Sequence, residues 1–119
     1  MMILADTSIW IDHLRRADPR LETAIEDASL LVHSAVIGEL ACGTLPKRSD
    51  FLHYLQDLPA ATMADAEETL FVIESRKLWG KGIGWTDAQL IASALLSGCK
   101  LWSHDKQLQN VATSLGIAY

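Results

Sequence analysis

The chain has 119 residues, of which half are hydrophobic and 21% are charged, a composition that excludes a disordered segment. This length is enough for one domain, spanning residues 1–119, to bury a core without disulfide bonds or a structural metal. Ten Lys and Arg against fifteen Asp and Glu give a net charge of -5, which excludes simple electrostatic attraction as the means of holding a polyanion.

The first predicted element is a short buried strand from Met2 to Ala5, which ends at the polar triplet Asp6-Thr7-Ser8. Because Asp6 interrupts the apolar run, the N-terminus lacks the pattern of a secretion signal. No stretch contains the roughly 18 apolar residues of a membrane span. We therefore expect a soluble, cytoplasmic protein, with a first helix from about Ser8.

The next elements are a helix, a strand and a second helix. Asp18-Pro19 predicts a helix start, followed by an apolar stripe that runs to Ala28. The segment 30–33 is the second strand candidate. Ser34 is predicted to cap the following helix, which Gly43 and Pro46 would end.

Two helical patterns, 47–58 and 65–79, are predicted to form an antiparallel pair. The glycine-spaced segment 80–84 is interpreted as a flexible connector, because it lacks the Lys-Ser/Thr pair of a phosphate-binding loop. Thr86 and Gln89 have the spacing of a capping box, which predicts that an almost wholly apolar helix begins there.

The last elements are a strand over 100–103, a helix from Lys106 to Leu115 and an edge strand over 117–119. Strands that alternate with helices predict an α/β fold, a parallel sheet with right-handed crossovers and helices on both faces. Such a sheet binds its ligands beyond the carboxyl ends of its strands.

Four carboxylates in apolar settings are predicted to meet at that edge: Asp6 and Asp105 after strands, Asp87 at a helix start, and Glu39 within a helix. A lone Asp in the first turn of a helix most often does no more than interact favourably with the helix dipole. Four clustered acids, however, must bind a metal or take up protons. Mg²⁺ and Mn²⁺ prefer oxygen ligands, and Mg²⁺ combines one or two carboxylates with substrate phosphate oxygens. The pattern therefore predicts phosphoryl chemistry.

Four segments carry the most specific pattern in the chain: Leu4 to Asp12, Ser34 to Leu40, Thr86 to Ala92 and Leu101 to Lys106. Together they resemble the PIN-domain ribonucleases, and within them the VapC toxins of bacterial toxin–antitoxin pairs. The resemblance covers the whole chain and implies a three-layer α/β/α PIN domain with a central parallel sheet. It also implies an endoribonuclease dependent on Mg²⁺ or Mn²⁺, homodimerisation, and neutralisation by a cognate VapB antitoxin.

The resemblance also implies roles for individual residues. Asp6 and Asp87 are similar in position to the principal metal ligands of the family. Glu39 and Asp105 would complete the acidic site directly or through water. A hydroxyl at position 7 or 103 would hold a carboxylate or a water molecule. His104 is assigned no catalytic role.

Three other functions are alternatives. A receiver-like phosphotransfer domain would need Asp after the second strand, where His33 stands, and an Asp-nucleophile phosphatase would need a second Asp where Ser8 stands. The third alternative is a catalytically silent PIN-fold module that only binds partners, and it predicts no divalent-dependent activity.

The tryptophans and basic pairs have simpler interpretations. Trp10, Trp79 and Trp102 are predicted to be packing anchors, and core packing is favoured over base stacking for Trp85. Asp12 is expected on a solvated helix surface. Arg15-Arg16, Lys47-Arg48 and Arg76-Lys77 are expected to be solvated, and they are also the candidate contacts to RNA or antitoxin.

Overall fold

Three short strands and seven helices make up the computed structural model, which describes all 119 residues. The longest helix has 13 residues, and none of the helices could traverse a lipid bilayer. In chain order the elements are β1 (Ile3–Ala5), α1 (Thr7–Arg15), α2 (Pro19–Glu26), β2 (Leu30–Leu31), α3 (Ser34–Ala41), α4 (Arg48–Asp57), α5 (Ala66–Arg76), α6 (Trp85–Ser97), β3 (Lys100–Trp102) and α7 (Lys106–Ser114).

The three strands form one parallel sheet in the order β2-β1-β3. Ile3 of β1 is paired with Leu30 on one side and with Lys100 on the other. The helices cover the sheet, because parallel strands buried on both faces need apolar neighbours above and below. The predicted three-layer α/β/α arrangement is confirmed. The predicted edge strand over 117–119 is reduced to a single bridge between Leu101 and Ala118.

The core lies around the central strand β1. Leu4 and Ala5 of β1 and Leu101 of β3 are wholly buried. Helix α6 supplies a further apolar surface, since Ile91 and its neighbours are buried along most of the helix. Burying these side chains stabilises the fold by about 1.5–3 kcal/mol for each large aliphatic residue.

The predicted pairing of the two middle helices is wrong. Helix α4 packs on α3, and α5 packs on α6. The reason is that α6 is apolar on almost every side and offers α5 the larger surface to cover. Leu70 and Phe71 of α5 remain 55% and 70% exposed.

Three helix boundaries differ from the prediction. Helix α2 ends at Glu26, and Ala28 beyond it has a left-handed φ of 55° instead of continuing the helix. Helix α3 is capped by His33 instead of Ser34, and α6 is capped at Gly84 instead of Thr86.

The side chain of His33, which caps α3, connects three segments of the chain. His33 Nδ1 accepts the Ala35 N–H at 3.0 Å, so the ring proton resides on Nε2, which lies 3.0 Å from Ser93 Oγ. Ser93 Oγ also accepts the Ala64 N–H at 3.1 Å. Burial lowers the pKa of the His33 imidazole below its ordinary value, because a charged ring is poorly solvated there.

The lowered pKa of His33 predicts acid sensitivity of the fold. The unfolded chain binds a proton at His33 near pH 6.5, whereas the folded chain resists it, so the free energy of unfolding should fall as the pH drops below about 6.5. Above that pH both states are neutral and the contribution is constant. Urea unfolding across this range should show a steeper loss in the wild-type protein than in His33→Asn, which keeps a capping side chain. Equal slopes would contradict the prediction.

Candidate active site

Asp6 lies where β1 ends and α1 begins, and it is 6% exposed. Its Oδ1 accepts the Ser8 N–H at 3.0 Å and the Ser8 hydroxyl at 2.5 Å. Its Oδ2 accepts the Ser103 hydroxyl at 2.6 Å. The carboxylate is therefore the N-cap of α1 and is held from two sides in one orientation.

Ser103 links the carboxyl ends of two neighbouring strands. It follows β3 directly, it is buried, and it donates to Asp6 beyond the end of β1. The same hydroxyl accepts the Asp105 N–H at 2.9 Å. Asp105 is the exposed N-cap of α7, and its Oδ1 accepts the Leu108 N–H at 3.0 Å. The Ser103 hydroxyl thus connects the Asp6 carboxylate with the backbone N–H of Asp105 at one edge of the sheet.

Glu39 joins this edge from α3. Its Oε1 accepts the Thr7 hydroxyl at 2.8 Å, and α3 packs against α1. The two hydroxyls at positions 7 and 103 therefore hold different carboxylates, Glu39 and Asp6.

Asp87 is the half-buried acid of the group, in the first turn of α6. Burial raises the pKa of its carboxyl, and the negative charges of Asp105, Asp6 and Glu39 raise it further. The Gly84 N–H, which donates to Asp87 Oδ2 at 3.3 Å, acts in the opposite direction. The four carboxylates consequently lie close enough for their charges to interact, although they come from four separate segments.

The donor set suits a hard divalent cation, since every one of these side chains offers carboxylate oxygens. No three acidic, histidine or cysteine side chains already form a compact set of metal ligands. Mg²⁺ does not require such a set, because it keeps several waters and takes only one or two protein carboxylates. The repulsion at Asp87 is the electrostatic strain that a cation would relieve.

A second row of contacts at this edge was not predicted from the sequence. Ser8 Oγ, besides donating to Asp6, accepts the His104 N–H at 2.9 Å. The His104 ring in turn donates from Nδ1 to Asp12 Oδ2. Asp12 is exposed, as predicted, but it is paired. Its position four residues after Ser8, on the same helix face, was the available signal.

The tryptophans divide into two groups. Trp10 and Trp102 are 1% and 3% exposed, which confirms that they are packing anchors. Trp79 and Trp85 are 60% and 45% exposed. The core-packing interpretation of these two residues is wrong, because Trp79 lies on the surface loop between α5 and α6 and Trp85 lies at the exposed start of α6.

Comparisons with known proteins agree with this architecture. A PIN domain family model matches residues 3–114. Ribonuclease VapC32 of Mycobacterium tuberculosis, from strain CDC 1551 / Oshkosh and from strain ATCC 25618 / H37Rv, is 42% identical over 118 residues, covering 98% of this chain and 95% of the relative. A crystal structure of PAE2754 from Pyrobaculum aerophilum matches with a TM-score of 0.62 and 18% identity, covering 93% of this chain and 79% of that chain. The last likeness concerns the fold alone.

Proposed function

This chain belongs to the PIN-domain family, and on that premise we propose that it is a metal-dependent endoribonuclease, the toxin of a VapBC-type toxin–antitoxin pair. The observation that carries the proposal is the half-buried Asp87, whose charge interacts with those of Asp6, Glu39 and Asp105 at the edge of the sheet. The near full-length similarity to proteins named ribonuclease supports the reaction class.

Asp6 and Asp87 would hold Mg²⁺ or Mn²⁺, with Glu39 and Asp105 completing the site directly or through water. When bound, the cation supplies Lewis acidity, which lowers the pKa of a coordinated water and neutralises charge on the phosphate. The chain itself positions the acids: Ser8 and Ser103 orient Asp6, and Thr7 orients Glu39.

The carboxylates also act as hydrogen-bond acceptors for water at the scissile phosphate. Attack by an oriented water molecule breaks the bond from phosphorus to the 3′ oxygen, so that the products carry a 5′-phosphate and a 3′-hydroxyl. Single-stranded loops of structured RNA are the substrate class, because splayed nucleotides expose one backbone bond to a site of this kind.

Two protein partners are proposed, an antitoxin and a second copy of this chain. A VapB-type antitoxin would neutralise the enzyme by placing a basic side chain at the acidic site, where it offsets the charge that accumulates around Asp87. A homodimer is also proposed, and exposed apolar residues such as Leu70 and Phe71 support a face covered by a second protein. RNA as substrate places the action in the cytoplasm.

Cleavage mapping tests the proposal. The purified protein should cut structured RNA at discrete unpaired positions when Mg²⁺ or Mn²⁺ is supplied, and sequencing of the ends should find 5′-phosphates and 3′-hydroxyls. Cyclic 2′,3′-phosphate ends would contradict water attack, since they arise from attack by the neighbouring 2′-hydroxyl. Intact RNA with either metal would favour the alternative, a catalytically silent PIN-fold module.

A further inference from the structure

Two large indole rings are exposed beside the acidic site. Trp79 and Trp85 line the same cavity of about 190 Å³, whose remaining walls include Ile83 and Ala88. Neither ring pairs with another aromatic side chain. An exposed tryptophan side chain contributes little to the stability of the fold, so stability does not explain why two of them surround one cavity.

The loop between the two rings brings them together. Gly80 and Gly82 have φ values of 69° and 79°, a left-handed conformation that lets the chain turn back between the end of α5 and the start of α6. Trp85 is the first residue of α6, next to Gly84, whose N–H donates to Asp87 Oδ2. The indole cavity is thus continuous with the backbone that holds a candidate catalytic carboxylate.

The same segment is a basic stretch on an acidic protein. Residues 76–85 contain three cations and no acid, whereas the whole chain has a net charge of -5. Arg76 and Lys81 make no ion pair. They line a neighbouring cavity of about 320 Å³ together with the amide side chains of Gln107 and Asn110. Cations and amides of this kind contact phosphate and sugar oxygens.

We propose that Trp79 and Trp85 form a stacking platform for bases of single-stranded RNA next to the bond to be cleaved, and that Arg76 and Lys81 contact the adjoining phosphates. This inference rests on the proposed ribonuclease function and adds where the substrate lies. Aromatic faces combined with cations bind single strands without requiring a particular sequence. The platform would also hold RNA locally although the protein as a whole is acidic.

The cavity favours a base over a protein partner. An α-helix with side chains is about 10 Å across and needs a long groove, whereas this cavity of about 190 Å³ is bounded by two rings and a glycine loop. The concentration of positive charge matches a phosphate backbone. The alternative occupants of this face are an antitoxin or a second copy of this chain, and the experiment below distinguishes them from RNA.

The test measures RNA affinity without cleavage, in an Asp87→Asn background with Mg²⁺ present. Two kinds of short single-stranded RNA are compared. One kind carries all its bases, and the other is a series in which each RNA lacks the base at a single position. Trp85→Leu should weaken binding of intact RNA by about tenfold, which is within the range for loss of one stacked base. For the RNA that lacks the stacked base, the same substitution should change affinity by less than about twofold. Trp85→Phe should retain most of the affinity.

Phe71→Leu is the matched control, since Phe71 is also an exposed aromatic residue but lies on α5 outside the loop. It should leave RNA affinity unchanged. Unchanged affinity in Trp85→Leu, equal losses on intact and abasic RNA, or lost self-association or antitoxin binding with normal RNA affinity would each overturn the platform. Wild-type protein that shows tryptophan-dependent RNA binding but no cleavage would refute the nuclease function and leave the platform standing.

Discussion

Replacing Asp87 with Asn should reduce RNA cleavage by about a thousandfold or more, at the upper end of what loss of one transition-state contact costs. The two side chains have nearly the same shape, and the Asn oxygen can still accept the Gly84 N–H that Asp87 accepts at 3.3 Å. What disappears is the negative charge that would bind the cation. The measurement is the rate of cleavage of one mapped RNA site under single-turnover conditions.

Stability separates this effect from misfolding. Asp87 is half-buried among three other acids, so its charge opposes folding, and Asp87→Asn should unfold in urea at an equal or higher concentration than the wild type. Asp65→Asn is the matched control, because Asp65 is also a carboxylate that accepts a backbone N–H at the start of a helix, as the N-cap of α5, but it does not contribute to the field at Asp87. Full activity in Asp87→Asn would refute the site assignment.

Removing divalent cations should abolish cleavage, and adding Mg²⁺ or Mn²⁺ should restore it. The reason is that the acidic edge offers carboxylate oxygens as ligands, and none of its four carboxylates forms a salt bridge with a protein cation. Binding should also appear without any substrate. A cation at a hundred times its Kd stabilises the folded state by about 2.7 kcal/mol, which raises the Tm of a domain of this size by several degrees.

The same thermal measurement on variants locates the cation. Asp87→Asn should lose most of the increase in Tm, whereas Asp65→Asn should keep it. Cleavage that persists in EDTA would contradict metal dependence. An increase in Tm that is as large in Asp87→Asn as in the wild type would place the cation elsewhere on the protein.

The positions of the candidate acids could be predicted from the sequence, because each acid lies at a place that a local pattern marks. Asp6 and Asp105 come one and three residues after strands, and carboxyl ends of parallel strands share an edge. Asp87 lies in the first turn of an apolar helix that had to be buried. Their roles as metal ligands stay a prediction, which the variants above test.

Other features depended on contacts that no local pattern encodes. The bonds from Ser103 to Asp6 and from His104 to Ser8 join residues 97 and 96 positions apart. Periodicity showed that α5 had an apolar side but could not show that α6 would cover part of it and leave Phe71 exposed. The histidine cap of α3 likewise depends on Ser93, 60 residues away.

By itself, the sequence determined the alternation of strands and helices, the parallel α/β/α class and the acids available for a site, since these follow from backbone hydrogen bonding and hydrophobic periodicity within short windows. The tertiary structure decided which hydroxyl holds which carboxylate, that the pKa of Asp87 is raised, and that two tryptophans remain in solvent. The physical reason is that hydrogen bonds, desolvation and charge repulsion between distant segments exist only after the chain has packed.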